Sequence, residues 1–192
     1  MQSKYLETIK AQDGKLYHLD YHQKRLDSCV KDSNINLSDL LTPPSSGLYR
    51  CRVVYDEFSC DVEYYPYIKR SVSSLKLVYD DSIEYSKKYF NRDAIDELFL
   101  QKDECDDILI VKNELITDTS IANLAFKYKN EWLTPKKPLL YGTTRARLLD
   151  AKKIIEEDIS VRDLKHFSAI SLMNAMIDFD IIQNKNVREV IC

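Results

Sequence analysis

Only three glycines occur in these 192 residues, at positions 14, 47 and 142. A G-x-G-x-x-G turn or a G-x-x-x-x-G-K-[ST] loop needs several glycines close together, so that backbone N–H groups can crowd a phosphate. Both nucleotide-binding arrangements are therefore excluded. Any phosphate bound by this chain has to be held by side chains and by the start of a helix.

The charge balance narrows the partners. Lys and Arg number 28 against 31 Asp and Glu, a formal net charge of −3, and no cluster of basic residues offers the excess that phosphate-backbone binding requires. Nucleic acid is thus not an expected partner. The longest apolar runs, such as Ile108–Val111, are far too short to span a bilayer, and no charged-then-apolar leader opens the chain. The expectation is a soluble, cytoplasmic protein with no membrane partner. Cysteines stand at positions 29, 51, 60, 105 and 192 and histidines at 18, 22 and 166. No C-x-x-C pair or other metal-ligand spacing exists among them, so no metal site is expected and the thiols read as buried and reduced.

Hydrophobic patterning predicts an α+β chain. Tyr5–Ala11 reads as a strand, Gln12-Asp13-Gly14 as a turn and Lys15–Leu19 as the returning strand of a hairpin. Asp20 is placed to cap a helix over Tyr21–Val30, and the polar stretch from Lys31 to Pro44 has room for one short helix around Leu37–Leu41. Leu48–Asp56 and Phe58–Tyr65 form a second predicted hairpin, and Pro66–Ser74 reads as a linker, giving domains over 1–70 and 71–192. Beyond it come strands at Leu75–Tyr79 and Ile108–Lys112, a helix at Asp93–Leu100 and two more strands through Phe126. A further strand is expected around Trp132 and Leu133. Thr143 or Thr144 is placed to cap an amphipathic helix whose apolar stripe runs through Ala146, Leu148, Leu149, Ile154 and Ile155. Helix, strand and strand are expected over Val161–His166, Phe167–Met173 and Phe179–Ile182.

Four separated segments carry chemistry-bearing residues. They are His22-Gln23-Lys24-Arg25-Leu26, Lys87-Lys88-Tyr89-Phe90-Asn91-Arg92, Thr117-Asp118 followed after four intervening residues by Asn123-Leu124, and Gly142-Thr143-Thr144-Arg145. Singly, each reads as ordinary structure: a surface arginine, a solvated lysine, a turn cluster and a threonine cap. With Glu7-Thr8-Ile9, Tyr49-Arg50-Cys51-Arg52-Val53 and Ser171-Leu172-Met173-Asn174-Ala175, their order and spacing over nearly the whole chain resemble the pyridoxal-phosphate enzymes of aminotransferase class IV. This is the fold-type-IV family of branched-chain and D-amino-acid aminotransferases and aminodeoxychorismate lyase.

The resemblance implies a two-part enzyme with pyridoxal 5'-phosphate as cofactor: a small α/β N-terminal part and a larger β-barrel-like C-terminal part with flanking helices. It implies that the cofactor lies between the parts, that the molecule is a homodimer and that the substrate is a small amino compound. It assigns to Lys88 the covalent hold on the cofactor aldehyde and the transfer of the substrate α-proton, with adjacent Lys87 as substitute. Asp118 would keep the pyridine nitrogen protonated. Arg25, the N–H groups of Thr143 and Thr144 with the Thr144 hydroxyl, and Ser171 would hold the phosphate. Arg50 and Arg52 alternate on a strand and read first as solvent-facing, with substrate-carboxylate binding as the other reading. The Asn91-Arg92 pair looks more like aminodeoxychorismate lyase, which releases pyruvate and 4-aminobenzoate in folate biosynthesis; a branched-chain or D-amino-acid-type aminotransferase is the alternative. Departures are the absent segment that precedes the Glu7 position in the family, Asp118 in place of the usual Glu, and Leu6 where D-amino-acid enzymes tend to carry Tyr. They keep open a non-catalytic binding module on the same fold.

Overall fold

The structure is a computed structural model describing residues 3–30, 33–182 and 186–192. Lys31 and Asp32, where the polar stretch after the first helix begins, lie outside the described residues. The chain separates into two compact units, one made of the residues up to Lys69 together with Lys87–Asn91, the other of Arg70–Ser86 and Arg92–Cys192.

In the first unit, β1 (Tyr5–Gln12) turns back through β2 (Lys15–Leu16) and then pairs antiparallel with β3 (Leu48–Tyr55), which pairs with β4 (Cys60–Pro66). The turn places Asp13 and Gly14 at φ 48° and 76°, the left-handed pair that matches strand twist in a two-residue hairpin. The returning strand is shorter than predicted, because His18 at φ 55° opens α1 (Leu19–Cys29) directly. The helix has no side-chain cap, so Asp20 is not its cap; it lies in the first turn, where its charge suits the positive helix end. Alternation along β1 sends Glu7, Ile9 and Ala11 to the buried face, where Ile9 and Ala11 pack with Leu26 and Cys29 of α1 and with Cys51, Val53 and Tyr55 of β3. A four-residue α2 (Leu37–Leu40), capped by Asn36, closes one end of this core.

The segment Lys87–Asn91 continues the hydrogen bonding of β1. Leu6 N–H donates to the Lys88 carbonyl at 2.9 Å and Phe90 N–H to the Lys4 carbonyl at 2.9 Å, with Tyr5 and Tyr89 in an antiparallel bridge.

The second unit contains two sheets. In one, β5 (Leu75–Tyr79) runs parallel to β6 (Asp107–Lys112), which pairs with β7 (Leu115–Ile116) across a turn where Asn113 and Glu114 both take positive φ. The other has the order β10-β9-β8-β11-β12, from β8 (Asn123–Tyr128), β9 (Glu131–Pro135), β10 (Ile155–Glu157), β11 (Ala169–Asn174) and β12 (Asp178–Ile181). Helix α3 (Asp93–Phe99), followed by a 3₁₀ turn, precedes β6, and a 3₁₀ segment, Val161–His166, precedes β11. Neither sheet closes on itself among the described residues, so the barrel-like expectation becomes two open sheets whose edges are short strands.

Helix α4 (Thr143–Asp150) ends five residues before Ile155, short of its predicted stripe. Lys152 at φ 54° breaks the helical path; Ile154 still packs with Leu148, Ala125 and Met173, while Ile155 opens β10. Opposite that cluster, Leu109, Ile116, Leu124, Phe126, Ile170 and Leu172 form the main core, joined by Val187 and Val190 of α5 (Val187–Val190). Cys105 and Cys192 are joined by a disulfide across a separation of 87 residues, so the expectation of reduced thiols applies only to Cys29, Cys51 and Cys60. Among the described residues, no helix is long and apolar enough to cross a membrane.

Candidate active site

In the first unit the polar cluster grows from one inward carboxylate. Glu7 lies on the buried face of β1 at 0% exposure, where a lone charge would be prohibitive. Arg25 reaches it from α1 with Nε to Oε1 at 2.7 Å and Nη2 to Oε2 at 2.5 Å. His22, one turn earlier on the same helix face, places Nδ1 2.6 Å from Oε2. Burial would raise the Glu7 pKa, yet the Arg25 charge and the bonds from His22 and Arg25 hold it at about 2. The same pairing raises Arg25 above its ordinary value against the opposing effect of burial. Glu7 takes the Nε–Nη2 edge of the guanidinium, and the outer Nη1–Nη2 edge is the one left for an anion.

The two adjacent lysines differ in surroundings. Lys87 donates Nζ to the Cys29 carbonyl at 3.2 Å and sits 5.2 Å from the Tyr5 ring centre. Lys88 is half-buried and its carbonyl is fixed to β1. On the sheet face opposite Glu7, Arg52 pairs with Glu63 at 2.7 Å and lies over Phe90, while Arg50 lies over Tyr65.

In the second unit, Asp118 follows β7 and is buried at 5% exposure. Its Oδ1 accepts from Asn123 Nδ2 at 2.6 Å and its Oδ2 from the Leu140 N–H at 2.9 Å. Burial raises its pKa to about 6, with those bonds and the Arg145 charge opposing the rise. Arg92 donates to the Ser120 carbonyl at 2.9 Å, bracing the loop that carries Asp118.

Residues Thr143 and Thr144 are the first two of α4 and both are buried. The helix is capped by Gly142, with no side-chain hydrogen bond, so the predicted threonine cap is replaced by a glycine and the first helical N–H groups keep no internal acceptor. Arg145 is not part of this anion-facing set: it is tied to the Pro135 carbonyl at 2.8 Å and to Glu156 at 2.7 Å. Ser171 shares its face of β11 with Met173, which packs on Leu148 of α4. Its Oγ is fully buried and finds no hydrogen-bond partner among the described residues.

These donors suit pyridoxal 5'-phosphate. In the first unit the guanidinium edge of Arg25 matches a phosphate dianion; in the second, a helix start with no side-chain cap and an orphaned hydroxyl do so too, and a buried carboxylate matches a protonated pyridine nitrogen. Within the second unit, Asp118, Thr143, Thr144 and Ser171 belong to neighbouring elements; within the first, Arg25 and Lys88 both fasten to β1. Sequence reasoning left Glu7, His22 and Asn123 without roles. The available signal was a carboxylate at an inward position of an otherwise apolar strand face.

The sequence profile of amino-transferase class IV matches residues 65–183. The chain belongs to this family. Its enzymes use pyridoxal 5'-phosphate, and the chain is an enzyme of this class, which sets aside the non-catalytic module. An uncharacterized protein of Haemophilus influenzae is 38% identical over 180 residues, covering 88% of this chain and 96% of that protein. A crystal structure of a candidate 4-amino-4-deoxychorismate lyase from Haemophilus somnus 129pt matches with 36% identity and a TM-score of 0.85, over 92% of this chain and 97% of the other. A pyridoxal-phosphate-bound hypothetical aminotransferase from Mycobacterium tuberculosis shares the fold, with a TM-score of 0.76 at 16% identity, over 96% and 83% of the two chains.

Proposed function

We propose that this class IV enzyme is a lyase of the 4-amino-4-deoxychorismate type, releasing pyruvate and 4-aminobenzoate in folate biosynthesis, and that it works as a cytoplasmic homodimer. The observation that carries the reading is the 36% identity to the Haemophilus somnus lyase candidate over almost the full length of both chains. The Asn91-Arg92 pair adds to it. The domains of this proposal are 1–70 and 71–192.

Bound pyridoxal phosphate supplies an electron sink for the substrate α-carbon. Lys88, four residues before Arg92, would hold the cofactor covalently and, once released, move the α-proton; adjacent Lys87, which donates to the Cys29 carbonyl at 3.2 Å, is the substitute. Asp118 keeps a proton on the pyridine nitrogen. The outer edge of Arg25, the first N–H groups of α4, the Thr144 hydroxyl and Ser171 bind the phosphate. An aminotransferase would use the same residues and differ in where the proton returns.

Purified protein should release pyruvate from aminodeoxychorismate and fail to exchange amino groups across a panel of amino and keto acids; the reverse outcome makes it an aminotransferase. Borohydride should trap the cofactor on Lys88. Lys88→Ala should abolish the adduct and Lys87→Ala should retain it, and an adduct on any other lysine overturns the assignment.

A further inference from the structure

Asn123 is held from three directions. Its Nδ2 donates to Asp118 Oδ1 at 2.6 Å and to the Leu140 carbonyl at 2.8 Å, while the Leu140 N–H returns to Asp118 Oδ2 at 2.9 Å. The remaining atom, Oδ1, faces Gly142, where an added Cβ would lie 2.0 Å away. Gly142 has φ −72° and ψ 148°, a conformation open to any residue. Its backbone therefore does not require glycine; the space occupied by the Asn123 amide does.

We infer that Asn123 is the positioning residue for Asp118, and that Gly142 is a glycine in order to admit it. The pair locks the carboxylate to the start of α4. The functional side of this inference rests on the reading of Asp118 as partner of the pyridine nitrogen and of Thr143 and Thr144 as phosphate donors. A carboxylate has about four acceptor directions. Asn123 and Leu140 occupy one on each oxygen and the Leu139 N–H adds a third donor, which fixes the plane of the group and leaves a direction for an incoming N–H. Aspartate has one fewer rotatable bond than glutamate with which to seek its partner, so here the setting has to come from its neighbours. The same amide ties Asp118 to the Leu140–Gly142 segment, which joins the pyridine end of the site to its phosphate end.

The test is a double-mutant cycle on the apo protein, read by melting and by the carbon-13 signal of the Asp118 carboxyl, identified by its loss in Asp118→Asn. In the wild type this carboxyl should titrate near pH 6. Asn123→Ala removes a donor to the charged form and should move the titration up by about one pH unit. Gly142→Ala should move it in the same direction and lower the melting temperature, because the new methyl displaces the amide. In the Asn123→Ala background, Gly142→Ala should change neither reading. The Arg145 charge is common to all four proteins, so its influence on Asp118 cancels. Should Gly142→Ala alone fail to fold, the double variant must still fold. The inference is overturned if Gly142→Ala titrates and melts like the wild type, if its effect persists with Asn123 removed, or if the double variant does not fold. Wild-type protein that binds no pyridoxal phosphate while the cycle behaves as stated sinks the functional reading alone; normal cofactor binding with an additive cycle sinks the positioning role alone.

Discussion

Arg25 lays one edge of its guanidinium along both oxygens of Glu7, at 2.7 and 2.5 Å, inside the core of the N-terminal sheet. A bidentate pair of this kind is stabilising only while both partners are present, since removal of one leaves a buried charge. Glu7→Ala should therefore lower unfolding free energy by about 3–5 kcal/mol in urea. The Glu7 pKa is depressed in the folded state, from 4.5 to about 2. Its contribution of about 3 kcal/mol is thus fully present above pH 4.5 and lost as the pH falls toward 2. Across that window the wild type should lose about 3 kcal/mol more than Glu7→Gln, which keeps the losses of other depressed carboxylates such as Asp80 and Asp106; equal acid profiles would count against the pair.

The disulfide between Cys105 and Cys192 encloses a separation of 87 residues. In the chain-entropy account, closing a loop of that length stabilises the folded state by up to about 4.6 kcal/mol. Peptide mapping without reductant should recover the two cysteines as one linked pair, and reductant should lower the melting temperature. Cys105→Ser should melt at the reduced temperature with and without reductant. A wild type indifferent to reductant, with both thiols alkylated at once, would refute the bond.

How far the fold could be read beforehand depends on whether the deciding contact is local. Strands β1, β3, β6 and β8 follow from alternating or continuous apolar residues, and the Asp13-Gly14 turn from its two residue types. Local information failed where a tertiary choice intervened: apolar spacing continues to Ile155, but the chain leaves the helix at Lys152. The candidate site divides along the same line. Lys88, Asp118, Thr143 and Thr144 stand in short segments with recognisable spacing. The Asn123 contact with Gly142, the orphaned Ser171 hydroxyl and the Cys105–Cys192 pairing depend on chain segments brought together by the fold, and no local pattern encodes them.

Ser171 gives effects of opposite sign with and without ligand. Its buried hydroxyl has no partner among the described residues, and an unsatisfied buried hydroxyl costs about 1–3 kcal/mol. Ser171→Ala should leave the apo protein as stable as the wild type or more so. If the hydroxyl donates to the phosphate, the same substitution should weaken pyridoxal phosphate binding about tenfold, the value of one hydrogen bond to a charged acceptor. Equilibrium dialysis beside thermal melting separates the two, and unchanged affinity removes Ser171 from the phosphate site.

Asp118 has the opposite pH signature to Glu7. Burial lifts its folded-state pKa from 3.8 to about 6, so between these values the native state binds the proton more tightly than the unfolded chain. Stability from this group is complete below pH 3.8 and is lost as the pH rises through about 6, by about 3 kcal/mol in total. Glu7 acts almost entirely below pH 4.5, so from there to neutrality the slope belongs to Asp118 between the two. Asp118→Asn has no charge to bury and should flatten that slope, while its NH2, set against one of the two donors that the carboxylate accepts, costs it a buried hydrogen bond at every pH. If Asp118 faces the pyridine nitrogen, an asparagine cannot hold a proton there, and turnover of the loaded enzyme should fall by at least about a hundredfold. Chemical denaturation of apo wild type and variant at pH 4, 5, 6 and 7, set beside turnover of the loaded forms, checks both halves. A variant as active as wild type would remove Asp118 from the chemistry, and parallel pH profiles would show that its carboxylate is solvated in the folded state.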